Sequence, residues 1–467
     1  MEIGRKDVIW NFAATFMRVA SGIIVLPLVL RMLPTQEYAL WTIYVTIGGL
    51  AILLDFGFAN SFSRTVTYIF SGVKELKAEG YTPVDVDDKT IDYGLLKSVI
   101  SAMRRYYGIL AIVFLVVFTA ISPFYLTSIL KAYNGNKSEI WISWFAYGVL
   151  VAYQLYTYYY SSILSGRGKV KRVQQIIIIG QVSRIGTAVI FLLMGYGISS
   201  LVISQFVSDI VNRTLCYNSF YDKELKLNLH TSSKVKVGEI MKIMTPNALK
   251  IGLTTMGGLL NSRMIILIAP LYLSLDVIAS YGTTKQMLDL IISMGLLWFG
   301  TYYPKITLHR VNEDMQQVKR MYLKAKFSLV LVFLVCGAGL IFIGPGLLTL
   351  IHSKTHLLPS FMTFVYLIVA FLETNHGLAA QMILTKNEVP FAKASIISGL
   401  AAIGLLFISL KFTTIGIWGM ILAPGIAQIV YQNWKWPLVV IKDLKIHIPD
   451  YWNGVIDIYK TNLHKNV

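Results

Sequence analysis

The sequence predicts an all-α, polytopic membrane protein with about twelve transmembrane helices in two parallel six-helix repeats. Three observations lead there. The 467-residue chain is 55% hydrophobic and only 14% charged, with a mean hydropathy of +0.61, which is too apolar for a soluble domain. Its apolar stretches recur at about twenty residues, the length that crosses a bilayer as a helix. Its Lys and Arg residues crowd into alternate connecting segments, as topology rules for membrane chains require.

The expected spans are 8–30, 38–58, 106–130, 140–164, 174–194, 197–216, 246–270, 275–302, 325–351, 359–384, 392–410 and 415–434. The opening MEIGRKDVIW runs into an apolar stretch longer than a signal-peptide core, with no small-residue cleavage site, so the stretch from Val8 reads as a retained first helix. Only Gly195-Tyr196-Gly197 separates the fifth and sixth spans, which predicts a tight turn between antiparallel helices. The eleventh and twelfth join as closely, around Lys411 to Ile415. With a cytoplasmic N-terminus, 31 of the 42 Lys and Arg fall in inner segments and five (Arg31, Lys131, Lys137, Lys354 and Lys411) in outer loops. That asymmetry puts both termini in the cytoplasm and accounts for the net charge of +18 without invoking nucleic acid. The outer loops are short, leaving no sizeable outside domain to hold an enzyme.

The two halves repeat. ILSGRGKVKRV at 163–173 aligns with ILTKNEVPFAK at 383–393, a shift of 220 residues, and GYGISSLVIS at 195–204 aligns with TIGIWGMILA at 414–423. WNFAATFMRV at 10–19 matches PNALKIGLTT at 246–255 at a larger offset, because the first half carries a longer loop at 59–105. Six helices per half give both halves the same orientation, so the repeats are parallel and a site between them is expected. The expected organisation is a bundle at 1–221, a Lys-rich linker at 222–245, a bundle at 246–436 and a tail at 437–467. Within the 71–105 loop, Leu95, Leu96, Val99, Ile100 and Met103 have helical spacing and predict a helix at the inner interface; the tail after Trp436 reads likewise.

The spans hold charges that hydrocarbon does not tolerate. Arg18, Arg184, Arg263 and Lys285 lie deep in apolar stretches, and Arg at a helix centre costs roughly 2.5–3.5 kcal/mol on insertion scales. A polar cavity lined with cations accommodates them and suits an anionic cargo; guanidinium forks grip a diphosphate better than a Lys point charge does. The alternative for each is a structural pair with an acid on another helix. Lys285 and Asp289 share a helical face and can neutralise each other, or take part in gating or ion coupling. Glu373 and His376 also share a face, and fit either a proton site or interhelical bonding. Asp209 and Arg213, four apart, read as an intrahelical pair; Asp55, at the inner end of the second span, reads as an inner gate or a turn cap. The run Tyr153, Tyr156, Tyr158, Tyr159, Tyr160 fits an interfacial aromatic belt, or a surface on which sugars stack. Cys216 and Cys336 supply no disulfide framework or metal spacing, and there is no nucleotide-binding or catalytic motif. No cofactor is implied.

Several segments together resemble a family. Leu33-Pro34-Thr35-Gln36-Glu37-Tyr38, Leu54-Asp55-Phe56-Gly57 and Ser165-Gly166-Arg167-Gly168-Lys169 are similar to the first turn, the end of the second helix and the turn after the fourth helix in Wzx-type polysaccharide flippases of the multidrug/oligosaccharidyl-lipid/polysaccharide (MOP) exporter superfamily. The 6+6 pattern extends the resemblance over essentially the whole chain; the 71–105 insertion is longer than usual. The resemblance implies a MATE-like, V-shaped pair of bundles with the first, second, seventh and eighth spans lining a cleft. It further implies alternating access in the bacterial inner membrane and an oligosaccharide cargo on an undecaprenyl-type diphosphate. Arg18, Arg263 and Lys285 then belong to cleft-lining helices and Arg184 is more peripheral. The driving force would be a proton or sodium gradient, the substrate gradient, or product removal by a polymerase, with glycosyltransferases making the cargo. A cation-coupled drug exporter is the rival on the same fold. A membrane glycan polymerase or acyltransferase suits the short outer loops poorly.

Overall fold

The computed structural model describes residues 10, 13, 17, 22, 24–76, 90–233, 238–245, 252, 263–386, 388–447 and 449–450. They are helical with no strand among them, and the chain separates into two compact units, 1–255 and 256–467. Six described helices are long and apolar enough to cross a membrane: Thr35–Asp55, Tyr93–Ile129, Val170–Leu193, Met315–Phe342, Ser360–Leu384 and Ala392–Phe412. The other expected spans that fall on described residues are helical too, but shorter, broken or richer in polar residues. Large apolar side chains stay exposed along these helices, among them Ile112, Val116 and Phe124. Such faces suit hydrocarbon, not water. The chain is a multi-pass membrane protein.

The first unit contains α1 (24–32), α2 (Thr35–Ile52, then a 3-10 turn Leu53–Asp55), α3 (Phe58–Phe70), α4 (Tyr93–Ile129), α5 (Lys137–Thr157), α6 (Tyr159–Gly166), α7 (Val170–Leu193), α8 (Ser199–Phe220), α9 (Lys223–Thr231) and α10 (238–245). The second contains α11 (Met264–Ile268), α12 (Leu275–Val311), α13 (Met315–Phe342), α14 (Gly344–Leu350), α15 (Ser360–Leu384), α16 (Ala392–Phe412), α17 (Ile417–Ile429) and α18 (Gln432–Asp443).

One expected element is corrected. The 95–103 segment is not a separate interfacial helix but the first three turns of α4, whose 37 residues start at the side-chain cap Asp92. At 1.5 Å per residue α4 is about 55 Å long, so it extends well past a hydrocarbon core of about 30 Å. Its apolar face is buried rather than interfacial: Leu95, Leu96, Val99 and Met103 pack with Phe62, Val66 and Ile69 of α3, Leu225 of α9, and Ile240 and Met244 of α10. The helix α3 lies inside the stretch expected as a loop, although Phe58, Phe62, Val66 and Ile69 are spaced for one helical face. Gly166 lets α6 approach α3 closely, since a Cβ there would lie 2.5 Å from the Ser63 carbonyl oxygen.

The repeat is visible in matched contacts. After the fourth span, Arg167 bonds to the Phe220 carbonyl and to Asp222 (2.6 Å), tying the end of α6 to the end of α8. About 220 residues on, Lys386 bonds to Asp443, which also receives Arg310 at 3.0 Å. Tyr44 of α2 meets Tyr147 of α5 with ring centroids 5.2 Å apart, as Tyr281 of α12 meets Tyr366 of α15 at 5.2 Å. The aligned turns place Gly197 and Gly416 at matching positions, both with positive φ (49° and 58°). Where the first unit breaks at Phe56 and Gly57, both left-handed, α12 runs unbroken.

Gly416 combines φ 58° with ψ −124°, a region closed to side chains, although a Cβ there would meet nothing nearer than 4.0 Å. Gly416→Ala should therefore lower stability by about 1–3 kcal/mol through backbone strain alone. Gly186→Ala, inside α7 with open space around it, should be neutral or gain about 0.5–1 kcal/mol. Thermal unfolding in detergent reads both, and equal midpoints for the two variants would refute the strain.

The backbone N–H of Leu225, and then Arg167, hold the Asp222 carboxyl below the ordinary aspartate range. A depressed folded pKa gives stability that is complete above the unfolded value of about 3.9 and is lost as pH falls through the folded one. The stability gap between wild type and Asp222→Asn should stay constant from pH 7 to about 5 and close below about 4. A gap widening toward acid would contradict the assignment.

Candidate functional site

In the second unit one group of polar side chains lies on α12, α15 and α18. Lys285 donates to both carboxylate oxygens of Asp289 at 2.8 and 2.9 Å, one turn further along α12. The Lys side chain is 14% exposed and that of Asp289 46%, so the pair meets solvent through its acid. Glu373, half-buried on α15, lies within electrostatic range of both. It makes no hydrogen bond or ion pair among the described residues. A hydrogen-bonded pair of stacked tyrosines adjoins this acidic group: Tyr366 donates to Tyr281 at 2.8 Å, and both feel the charges of Asp289 and Glu373.

His376, three residues beyond Glu373, does not turn to it. Its Nδ1 lies 2.7 Å from Asn433 Oδ1 on α18. An amide oxygen only accepts, so the imidazole carries its proton on Nδ1. The bond is interhelical, and it does not involve Glu373.

The corresponding part of the first unit is built on α5, α7 and α8. Gln154 donates to Asp209 at 2.6 Å and Gln205 to the same carboxylate at 3.3 Å, while Arg184 donates to Gln205 at 3.5 Å. Arg184 is thus bound into an amide-bridged network with Asp209 rather than presented singly. The expected Asp209–Arg213 pair does not form. Asp209 turns toward the two glutamines, and the Arg213 guanidinium lies over the rings of Tyr160 (5.4 Å) and Tyr217 (5.6 Å). The repeat puts Gln154 of α5 at the level of Glu373 of α15. Gln154 is matched to an acid, whereas Glu373 has none of the donors that satisfy Asp209.

Arg263 stands at the N-cap of α11, half-buried, and its side chain makes no ion pair among the described residues. Arg18 lies outside the described residues. Asp55 is buried and caps: its two oxygens accept from the Ala59 N–H at 3.1 and 3.2 Å, and Tyr107 donates to Oδ1. Tyr106 donates to the Leu54 and Asp55 carbonyls at 3.2 and 3.3 Å, so the end of α2 is bonded to α4 through both backbone and side chain.

The tyrosine run divides. Tyr159 and Tyr160 are 2% and 7% exposed and belong to the core, where they fit neither a belt nor a sugar platform. Tyr153 and Tyr156 stay accessible on the face of α5. Sequence spacing could not separate them because the helix breaks at Tyr158, rotating the following residues inward.

The His376–Asn433 bond joins α15 to α18. A double-mutant cycle with His376→Ala and Asn433→Ala should show a coupling of about 1 kcal/mol in unfolding stability. Strict additivity would mean the bond contributes nothing.

No protein-family model matches the chain, and no curated protein matches it in sequence. Solved structures match in fold. The chain is similar to an inward-facing multidrug resistance MATE family transporter of the MOP superfamily, with a TM-score of 0.64 and 15% identity over 92% of this chain and 95% of that one. It is similar to the MATE multidrug transporter DinF-BH, at a TM-score of 0.61 and 12% identity over 94% of each chain. It is also similar to the lipid II flippase MurJ in an inward closed conformation, at 0.59 and 14% identity over 98% of this chain and 92% of that one. The chain has the helical fold of MOP superfamily transporters.

Proposed function

We propose that the protein is a Wzx-type flippase that moves a diphosphate-linked lipid oligosaccharide across the bacterial inner membrane by alternating access, with both termini in the cytoplasm. The observation that carries this reading is Arg263. It is a half-buried guanidinium in an expected span, with no acid bound to it among the described residues. A fixed cation without a counter-ion is costly in the bilayer unless a mobile anion supplies one. Lys285 is weaker support, because Asp289 already neutralises it, and Arg184 is engaged with Gln205. Arg18, in the first expected span of the first half as Arg263 is in the first of the second, is proposed as the second diphosphate contact. The MurJ likeness makes a lipid-diphosphate cargo a natural class, and the MATE likenesses make drug export the alternative.

A second reading rests on Glu373. A half-buried carboxylate with no hydrogen bond or ion pair among the described residues, next to the Lys285–Asp289 pair, suits transient binding of a proton or sodium ion. It serves a coupled flippase and a cation-coupled exporter alike. The cargo separates the two.

Reconstituted protein should translocate a fluorescent polyprenyl-diphosphate oligosaccharide and not a cationic dye. Arg18→Ala and Arg263→Ala should each abolish that translocation with expression and insertion intact, while Arg263→Lys keeps part of it. Full activity in the alanine variants, or efflux of the dye alone, would overturn the assignment. Glu373→Gln should remove any response of transport to an imposed proton or sodium gradient; an unchanged response excludes Glu373 from coupling.

A further inference from the structure

We propose that the first unit carries a binding site for the headgroup of an anionic phospholipid, formed over α5 between Arg104 of α4 and Arg213 of α8. The site is separate from the cargo-binding residues above and depends only on the chain being a membrane protein.

The geometry starts from α5. Val149, Tyr153 and Tyr156 lie at i, i+4 and i+7 and share one accessible face of that helix. Both flanks of the face are joined to neighbouring helices. On one side Arg104 Nε donates to the Tyr156 hydroxyl at 3.1 Å. On the other, the ring of Tyr153 meets Phe206 of α8 with centroids 5.7 Å apart. Arg213, two turns beyond Phe206 on α8, lies over Tyr160, which stacks on Tyr159 at 4.4 Å. Both guanidinium groups lie within electrostatic range of Tyr159 and Tyr160, so two cations flank one buried tyrosine cluster.

Neither cation is paired with an acid among the described residues. Arg104 is exposed and Arg213 half-buried. The acid nearest in sequence to Arg213, Asp209, is occupied by Gln154 and Gln205. Lys226 adds a third positive charge over the Tyr217 ring, at 5.3 Å. From this end an exposed apolar track runs along the three helices, through Ile112 and Val116 on α4, Val149 on α5, and Ile210 and Phe206 on α8.

Charge and hydrophobicity together name the occupant. Two guanidinium forks with tyrosine hydroxyls at a membrane interface fit a phosphodiester. An apolar track leading away from them fits acyl chains, which a soluble anion lacks. A zwitterionic lipid would bring its own cation to a place already holding three.

The test uses the full-length protein in detergent, with phosphatidylglycerol or phosphatidylcholine of identical chains, or inorganic phosphate, added in separate titrations read by native mass spectrometry and thermal shift. Phosphatidylglycerol should bind saturably and raise the melting temperature, while the other two should not. Arg104→Gln should weaken that binding about fivefold, and Arg104→Gln with Arg213→Gln about thirtyfold, whereas Arg172→Gln, a basic residue bonded to Ser219, should leave it unchanged. Because Arg104 is exposed, its single variant tests the site even where the double variant fails to fold. Equal binding of the two lipids, an Arg104→Gln affinity matching wild type, or a shift reproduced by inorganic phosphate alone would each overturn the proposal.

Discussion

The absence of water in the bilayer core is the constraint on which the other features depend. A polar side chain in a span must find its partner inside the protein or face an accessible interior, because hydrocarbon offers neither donor nor acceptor. Partners across helices meet part of that demand. Trp144 donates to Ser122 at 2.7 Å, Asp209 gathers two amides, and His376 reaches Asn433. Serine and threonine hydroxyls turn back to their own helix, as Thr283 does to the Ala279 carbonyl at 2.9 Å. Among the described residues Glu373 and Arg263 make no such bond, and they acquire functional interest for that reason.

The repeat shows how two related units meet the same constraint with different residues. Both close the turn after the fourth span with a basic residue bonded to an acid beyond the sixth, Arg167 with Asp222 and Lys386 with Asp443. The partners differ in geometry: Arg167 also reaches a backbone carbonyl and lies over Phe70 and Phe220, while Asp443 gathers Lys386 and Arg310. Inside the membrane the units diverge more. The network of Gln154 and Asp209 in the first has its place taken by Glu373 in the second. Duplication preserves the mechanical contacts at the helix ends and leaves the span interiors free to differ in charge.

The long helix α4 links the apolar spans to the part of the first unit packed beyond them. Its later turns leave apolar side chains exposed, and its first turns sit in a core with α3, α9 and α10. At the level between them are Tyr106 and Tyr107, which hold the end of α2, and Arg104, which borders the proposed headgroup site. Displacing α4 would therefore be felt at both places.

The class of the protein was legible from the sequence because hydrophobicity and span length are additive, local quantities. The internal repeat was legible because its turns keep their spacing: Gly197 and Gly416 align in sequence and share a positive φ. The Lys285–Asp289 contact was legible because both residues lie on one helix, where geometry is set by the 3.6-residue period. Pairings across helices were not. Asp209 has Arg213 at the same helical spacing and instead bonds to Gln154, 55 residues away; His376 bonds 57 residues away in preference to Glu373. The 95–103 segment has the same pattern whether its apolar face meets lipid headgroups or other helices. Local periodicity in the sequence determines which face of a helix is polar. Only tertiary packing decides which neighbour meets that face, because the competing partners differ by distances that the chain order does not contain.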